Sequence, residues 1–344
     1  MQRAINGLWY GGGGSAALLL APFAWLYRGV TGVRRAMYSS GWLTTQHVGR
    51  PVVVVGNLTV GGTGKTPLVA WLAEQLQERQ LSVGILSRGY GRSDGAPRIV
   101  EPDSNWREVG DEPLLLRQRT GCVTVVSADR VAGARLLTER GVDVILADDG
   151  LQHLRLARDC EIVVVDGARG FGNGRLLPAG PLREPVAKAA DADLIVINGA
   201  ATHASLAEVA RQRADSVVQM TLAPANALPV SGGTQSRPLE SFRGRRVHAV
   251  AGIGHPARFF ADLRGRGLEV VEHPFADHHP FVAADLEFGD AAPILMTEKD
   301  AVKCRAFAQA RWWYLPVSAR FSDAQATVVL ECVIGSLRRA VPAS

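Results

Sequence analysis

The sequence predicts an α/β protein: a doubly wound parallel sheet, followed by a second, smaller α/β domain. Three observations carry this. Short apolar, largely β-branched runs recur at residues 51–55, 82–86, 123–126, 142–146, 162–165 and 194–197, separated by helical or loop stretches. Runs apolar at every position, rather than at alternate ones, suit parallel strands covered on both faces. A Pro/Gly/Ser-rich stretch, 223–238, then reads as a linker, and the pattern resumes at 246–251, 268–272, 293–296 and 312–317. Finally, 344 residues are more than one core ordinarily organises. The expected division is an amphipathic N-terminal helix in 1–45, the main sheet in 46–225, a linker in 226–238 and the smaller domain in 239–344.

Composition narrows the class. With 47% hydrophobic and 21% charged residues the chain is neither disordered nor fibrous. Its four cysteines are scattered, with no CxxC, and read as reduced core thiols. The net charge of +5 is unevenly placed, because residues 1–50 hold Arg3, Arg28, Arg34, Arg35 and Arg50 and no Asp, Glu or Lys. The remainder is close to neutral, which argues against a nucleic-acid-binding body and points the N-terminus at an anionic partner.

In that N-terminal segment the apolar run 16–27 is 12 residues long and interrupted by Pro22, short of the roughly 20 that span a bilayer. Leu19, Phe23, Leu26, Val30, Val33 and Met37 follow a 4,3,4,3,4 spacing, which stacks them on one helical face with Arg28 and Arg35 opposite. Such a helix lies in a headgroup layer of anionic lipids, or packs on its own domain; this segment alone favours neither.

The strand run 51–55 leads into Gly56-Asn57-Leu58-Thr59-Val60-Gly61-Gly62-Thr63-Gly64-Lys65-Thr66 and then a helical stretch, 67–78. Strand, glycine loop and helix in that order are the setting of a P-loop NTPase-like fold. Residues 59–66 (Thr59, Val60, Gly61, Gly62, Thr63, Gly64, Lys65, Thr66) would bind ATP: glycines turn backbone N–H groups toward the phosphates, Lys65 reaches the β- and γ-phosphates, and Thr66 ligates Mg²⁺. The match is a variant, since Thr59 stands where the strict pattern has glycine. GGTGKT also occurs in partition-type ATPases, but the lysine that precedes it there is Val60 here.

The strand at 142–147 ends in Asp148 and Asp149, two adjacent acids that repel unless a cation is near. They are the preferred metal carboxylates, and Asp166, closing the run 161–166, is the alternative. In the second domain GIGHP at 252–256 reads as a tight turn with a helix start, and TEKD at 297–300 as a capping box. A soluble P-loop kinase for a small metabolite, or a membrane-bound nucleotide switch, are the competing functions.

PFAWLYRGV, VVVVGNLTVGGTGKTP, LSRGYGR, VGDEPLLL, ILADDGLQH, GRLLPAGPLREP, FADHHPF and TEKDAVK occur in that order between about residues 22 and 303. Together they resemble the tetraacyldisaccharide 4'-kinase family. The resemblance implies transfer of the ATP γ-phosphate to the 4'-hydroxyl of a tetraacyldisaccharide 1-phosphate, giving lipid IVA in lipid A synthesis. It also implies an N-terminal helix that meets the cytoplasmic face of the bacterial inner membrane. By the same resemblance Asp111 and His278 activate the sugar hydroxyl, with His279 the alternative histidine, while Arg183 lies near the γ-phosphate and Glu184 near Mg²⁺. A positioned carboxylate suits this chemistry, because a sugar hydroxyl does not ionise unaided at neutral pH. By spacing alone, Asp111 is a helix cap and Arg183–Glu184 an exposed ion pair.

Overall fold

The computed structural model describes residues 2–11, 14–89, 95–233 and 235–340. Residues 90–92 of the LSRGYGR stretch lie outside them. The chain opens with α1 (Gln2–Tyr10), α2 (Gly14–Leu19) and α3 (Ala21–Ser39). It continues through β1 (Val52–Gly56), α4 (Lys65–Gln77), β2 (Val83–Ser87), β3 (Arg98–Val100), α5 (Trp106–Val109) and α6 (Asp111–Thr120). Next come β4 (Val123–Val126), α7 (Arg130–Glu139), β5 (Val144–Asp148), β6 (Cys160–Asp166), β7 (Leu194–Asn198), α8 (Ser205–Gln212) and β8 (Val217–Pro224). A smaller lobe follows, with β9 (Leu228–Pro229), β10 (Arg246–Ala251), α9 (Pro256–Gly265), β11 (Glu269–Pro274), β12 (Ile294–Thr297), α10 (Glu298–Cys304) and β13 (Trp312–Leu315). The chain then closes with β14 (Val317–Arg320) and α11 (Asp323–Ala340).

The large sheet runs β14-β8-β7-β6-β1-β5-β2-β4-β3, parallel throughout except at its two edge pairs. Its centre shows why the sequence folds this way. Val52 and Val54 face one core with Val131, Ala134 and Leu137 of α7. Val53 and Val55 face the other, with Leu68, Leu72 and Leu76 of α4 and Val329 and Val333 of α11. Side chains alternate across a strand, so an uninterrupted valine run serves two helical layers at once. Each buried valine contributes about 1.5–3 kcal/mol. β1 lies between β5 and β6, where the chain reverses its direction of travel across the sheet, and ligands bind at the carboxyl ends of strands at such a point.

The small sheet runs β11-β10-β12-β13-β9. Two boundaries differ from those read in the sequence. The expected linker carries β9, which pairs antiparallel with β13, so the small lobe begins inside it. A two-residue strand is too short to register as a periodic pattern. The small lobe also ends early: β14 pairs antiparallel with β8 of the large sheet, and α11 covers that sheet's core. The crossings lie side by side, with the Ala225 N–H donating to the Pro316 carbonyl at 2.9 Å. The small lobe is therefore an insertion, and residues 317–340 belong with the P-loop sheet.

The N-terminal segment is three helices instead of one. Leu18, Leu19, Phe23, Trp25, Leu26, Val30 and Val33 are 60% exposed or more, and only Ala24 of α3 is buried. The other side of α3 meets the body through polar contacts: Tyr27 Oη donates to the Arg183 carbonyl at 3.0 Å and Arg34 Nη1 to the Gln152 carbonyl at 3.2 Å. Arg35, read from its spacing as part of the polar face of this helix, thus faces the protein, where it pairs with Glu184. Among the described residues no helix is long and apolar enough to cross a membrane. Cys122, Cys160 and Cys304 are buried free thiols and Cys332 is half-buried.

Candidate active site

The glycine loop leaves β1 and enters α4 through Gly64, whose φ of 97° is a left-handed conformation that glycine adopts without strain. Space excludes a side chain there as well, since a Cβ would sit 2.6 Å from Asn198 Nδ2. Thr59 in place of glycine has a structural reason. It forms an isolated antiparallel bridge with Leu182, flanked by Val60 N–H to the Pro181 carbonyl at 2.8 Å and Arg183 N–H to the Leu58 carbonyl at 2.7 Å. That extended backbone needs no glycine. Lys65 Nζ donates to Asn57 Oδ1 at 3.1 Å and lies 3.6 Å from Asp149 Oδ1. The Gly252–Gly254 turn of the small lobe approaches this loop so closely that a Cβ on Gly254 would lie 3.3 Å from Gly62 N. It is a turn before a helix, as read from the sequence, with His255 preceding α9.

Adjacent acids at the end of β5 are treated oppositely. Asp149 takes a positive φ of 51°, a strained position for a non-glycine residue. Arg183 Nη1 donates to both its oxygens, at 3.0 and 2.9 Å. Burial would raise its pKa, but Lys65 and Arg183 outweigh it and hold the group at about 2. Asp148 is 1% exposed and its Oδ1 has no hydrogen-bond partner among the described residues. Burial first, then the Glu112 carboxylate, push it up to about 7 against the pull of Lys65.

Glu184 does not join these acids. It is buried and ion-paired with Arg35 of α3. The expected set of Thr66, Asp148, Asp149 and Glu184 is not assembled; among the described residues no three His, Cys, Asp or Glu side chains converge as metal ligands. Asp166 is also engaged elsewhere: it accepts from the backbone N–H groups of Ala168 and Arg169 and lies 3.8 Å from Arg258 of the small lobe.

Across the lobe boundary, His278 Nδ1 lies 3.1 and 3.0 Å from the two oxygens of Asp111, joining residues 167 positions apart. Asp111 is not the helix cap its spacing suggests. Gly110 holds that position, and Asp111 is the first residue of α6, with Oδ1 accepting from the Glu112 N–H at 2.9 Å. His278 has a φ of 60°, a second strained position at the site. His279 instead pairs with Asp285 at 2.9 Å and packs on Phe275 and Phe281. Burial opposes ionising Asp111, yet the His278 hydrogen bond and the Lys299 and Lys303 charges bring it to about 2. Burial and Lys299 oppose protonating His278, and the Asp111 hydrogen bond and charge outweigh them, so its pKa is raised.

Four residues at the site escaped the sequence reading. Lys299 Nζ meets Glu112 Oε1 at 2.9 Å, Asp277 Oδ1 at 3.1 Å and His278 Nε2 at 3.2 Å. Lys303, fully buried, pairs with Asp300 at 2.9 Å and lies 3.8 Å from Asp111 Oδ2. Arg130, 3% exposed at the start of α7, donates from Nη2 to the Asp148 carbonyl at 3.1 Å. Glu112 completes the set. A basic residue opening a helix right after a strand end was the signal available for Arg130. The TEKDAVK stretch held both lysines.

A family model described as Tetraacyldisaccharide-1-P 4'-kinase (LpxK) matches residues 16–334. A tetraacyldisaccharide 4'-kinase of Alkalilimnicola ehrlichii is 52% identical over 306 residues, 88% of each chain. One from Xanthomonas campestris pv. campestris is 51% identical over 315 residues, 90% of this chain and 89% of that one. Among solved structures, LpxK from Aquifex aeolicus in complex with ATP aligns with a TM-score of 0.75 at 29% identity, over 94% of this chain and 99% of that chain.

Proposed function

The chain belongs to the tetraacyldisaccharide 4'-kinase family, and from that premise we propose which of its residues perform each part of the reaction. The reaction itself is ATP-dependent phosphorylation of the 4'-hydroxyl of a tetraacyldisaccharide 1-phosphate, giving lipid IVA in lipid A biosynthesis.

On the nucleotide side, residues 59–66 cradle the triphosphate, Lys65 takes the β- and γ-phosphates, and Arg183 steadies charge on the group in flight. Asp149 holds both cations in place, as its contacts with Lys65 and Arg183 suggest. Magnesium fits beside them, because the buried Asp148 Oδ1 has no partner among the described residues and its ionised form is disfavoured by burial first and then by the neighbouring acids, a state a divalent cation relieves. Thr66 and Asp148, backed by Asp149, would hold it, and there it would offset the negative charge of the triphosphate. Glu184 serves α3 through Arg35.

On the acceptor side, Asp111 accepts the proton of the 4'-hydroxyl as the new P–O bond forms, and His278 orients that carboxylate. The observation that carries this reading is the Asp111–His278 hydrogen bond across the lobe boundary. A base assembled from both lobes is complete only when they meet around the sugar. The bare apolar face of α3, with Phe23, Trp25, Leu26, Val30 and Val33, rests on the cytoplasmic surface of the inner membrane, where anionic headgroups suit the exposed Arg28.

Incubating the protein with γ-labelled ATP, Mg²⁺ and envelope glycolipid tests the whole reading. Label moves into a chloroform-extractable species, and removing Mg²⁺ with a chelator stops it. Label confined to water-soluble acceptors, or to free phosphate, means a metabolite kinase or an ATPase instead.

A further inference from the structure

We infer that Lys299 is a positioning residue for phosphoryl transfer: its ammonium holds the His278 imidazole in the tautomer protonated on Nδ1, and its full set of contacts exists only while the lobes touch. The inference rests on the assignment of Asp111 and His278 above and extends it to a third residue.

An ammonium has three hydrogens and no lone pair. Lys299 Nζ sits 3.2 Å from His278 Nε2, so in the neutral ring that nitrogen accepts, because two donors at this distance would repel; the same ammonium works against the Asp111 and Asp277 carboxylates, which favour protonating the ring. A neutral imidazole whose Nε2 accepts carries its hydrogen on Nδ1. Nδ1 is the atom that faces both oxygens of Asp111, at 3.1 and 3.0 Å. The contact with Lys299 therefore sets the direction of the hydrogen bond with Asp111: the imidazole donates, and the carboxylate keeps its full negative charge. An imidazolium there would instead pull electron density from Asp111 and make it a poorer proton acceptor.

The remaining contacts of Lys299 say when this holds. Its side chain is 16% exposed, and its charge is balanced by Asp277 of the small lobe and Glu112 of α6. Glu112 adjoins Asp111 in sequence, so one step along α6 presents the P-loop lobe's two acids to two small-lobe partners. Separation of the lobes removes Asp111 from His278 and Glu112 from Lys299 together. Lys303 stands four residues after Lys299 on α10, fully buried against Asp300. Asp300 is fixed in turn by the Thr297 hydroxyl at 2.6 Å and the Gly252 N–H at 2.8 Å. Two lysines one helical turn apart thus bracket the Asp111–His278 pair.

The full-length enzyme with Lys299→Met tests this. Turnover falls about 10–100-fold, the loss expected when a reacting group is misplaced by a fraction of an ångström to one ångström, while KM for ATP changes less than about twofold. The ¹⁵N spectrum of histidine-labelled enzyme, with the His278 signals identified by their loss in His278→Ala, changes from the single Nδ1–H form to a mixture. Lys299→Arg, which keeps a donor at Nε2, restores most of the rate and the tautomer. In a His278→Ala background, Lys299→Met costs less than about twofold more. Glu112→Gln, which leaves the lysine in place, gives a smaller loss of the same kind. An unchanged His278 tautomer in Lys299→Met overturns the inference even if turnover falls. So does a full Lys299→Met loss in the His278→Ala background, and in both cases the Asp111–His278 assignment survives. A silent His278→Ala removes that assignment, and this inference with it.

Discussion

The two acidic centres of the site are built in different ways. Asp148 and Asp149, with Lys65 and Arg183, come wholly from the P-loop lobe and are fixed by its sheet. Asp111 obtains His278, Lys299 and Lys303 from the other lobe. The first is organised before any acceptor arrives, whereas the second depends on contact between two bodies. Nucleotide binding and acceptor activation are therefore separable by mutation.

The largest effect falls on the pre-built centre. Lys65→Ala leaves the loop without a side-chain cation and lowers turnover by about 10²–10³-fold or more. Steady-state rates on a variant with an unchanged unfolding curve check this, and retention of more than about a tenth of the activity would falsify the role given to Lys65. The shared centre comes next. Asp111→Ala and His278→Ala each cost about 10²–10⁴-fold in turnover with ATP affinity preserved, and the double variant is little worse than the worse single. Multiplicative losses would mean that the two residues act independently. His279→Ala, which loses only Asp285 and aromatic packing, stays within a few-fold; a reversed order of the two histidines defeats the choice made here.

A smaller effect tests where the metal set ends. If Glu184 serves α3, Glu184→Gln and Arg35→Met lower activity to a similar few-fold extent, and neither shifts the Mg²⁺ concentration for half-activity. A several-fold rise in that midpoint for Glu184→Gln alone returns it to the metal. The least effect on chemistry lies farthest from both centres. Replacing Phe23, Trp25 and Leu26 together by Ser removes apolar area that contributes roughly 1.5–3 kcal/mol per fully buried side chain. Sedimentation with anionic vesicles then falls while ATP affinity stays constant. Unchanged sedimentation sinks the membrane reading of α3.

The same contrast explains what the sequence disclosed. The pre-built centre is local: a valine run, a glycine loop and an acid at the next strand end each leave a signature within a few residues, and Lys65, Asp148 and Asp149 were legible from them. The shared centre is not local. Nothing in the spacing of Asp111 and His278 predicts a hydrogen bond between them, and only the family resemblance singled them out. Lys299 was hidden by an adequate structural reading of its neighbours, because Thr297 does cap α10, accepting from the Asp300 N–H. The return arm of that capping box is diverted, and the Asp300 carboxylate accepts from Gly252 instead. The contact of Glu184 with Arg35 was hidden for a related reason: Arg35 belongs to a helix whose sequence pattern concerns its outer face. The return of residues 317–340 to the large sheet was invisible because a four-residue strand carries no mark of which sheet it will join.

That return has a consequence for how the protein is made. During synthesis the P-loop domain emerges first, but β14 and α11 leave the ribosome only after the whole small lobe. Until then β8 is an open edge, and the apolar surface that Val329 and Val333 later cover is bare. The nascent chain must hold an incomplete nucleotide-binding domain while roughly a hundred further residues are added, at some 5–20 residues per second. A ribosome that stops near residue 316 therefore releases a sticky fragment in place of a smaller working enzyme.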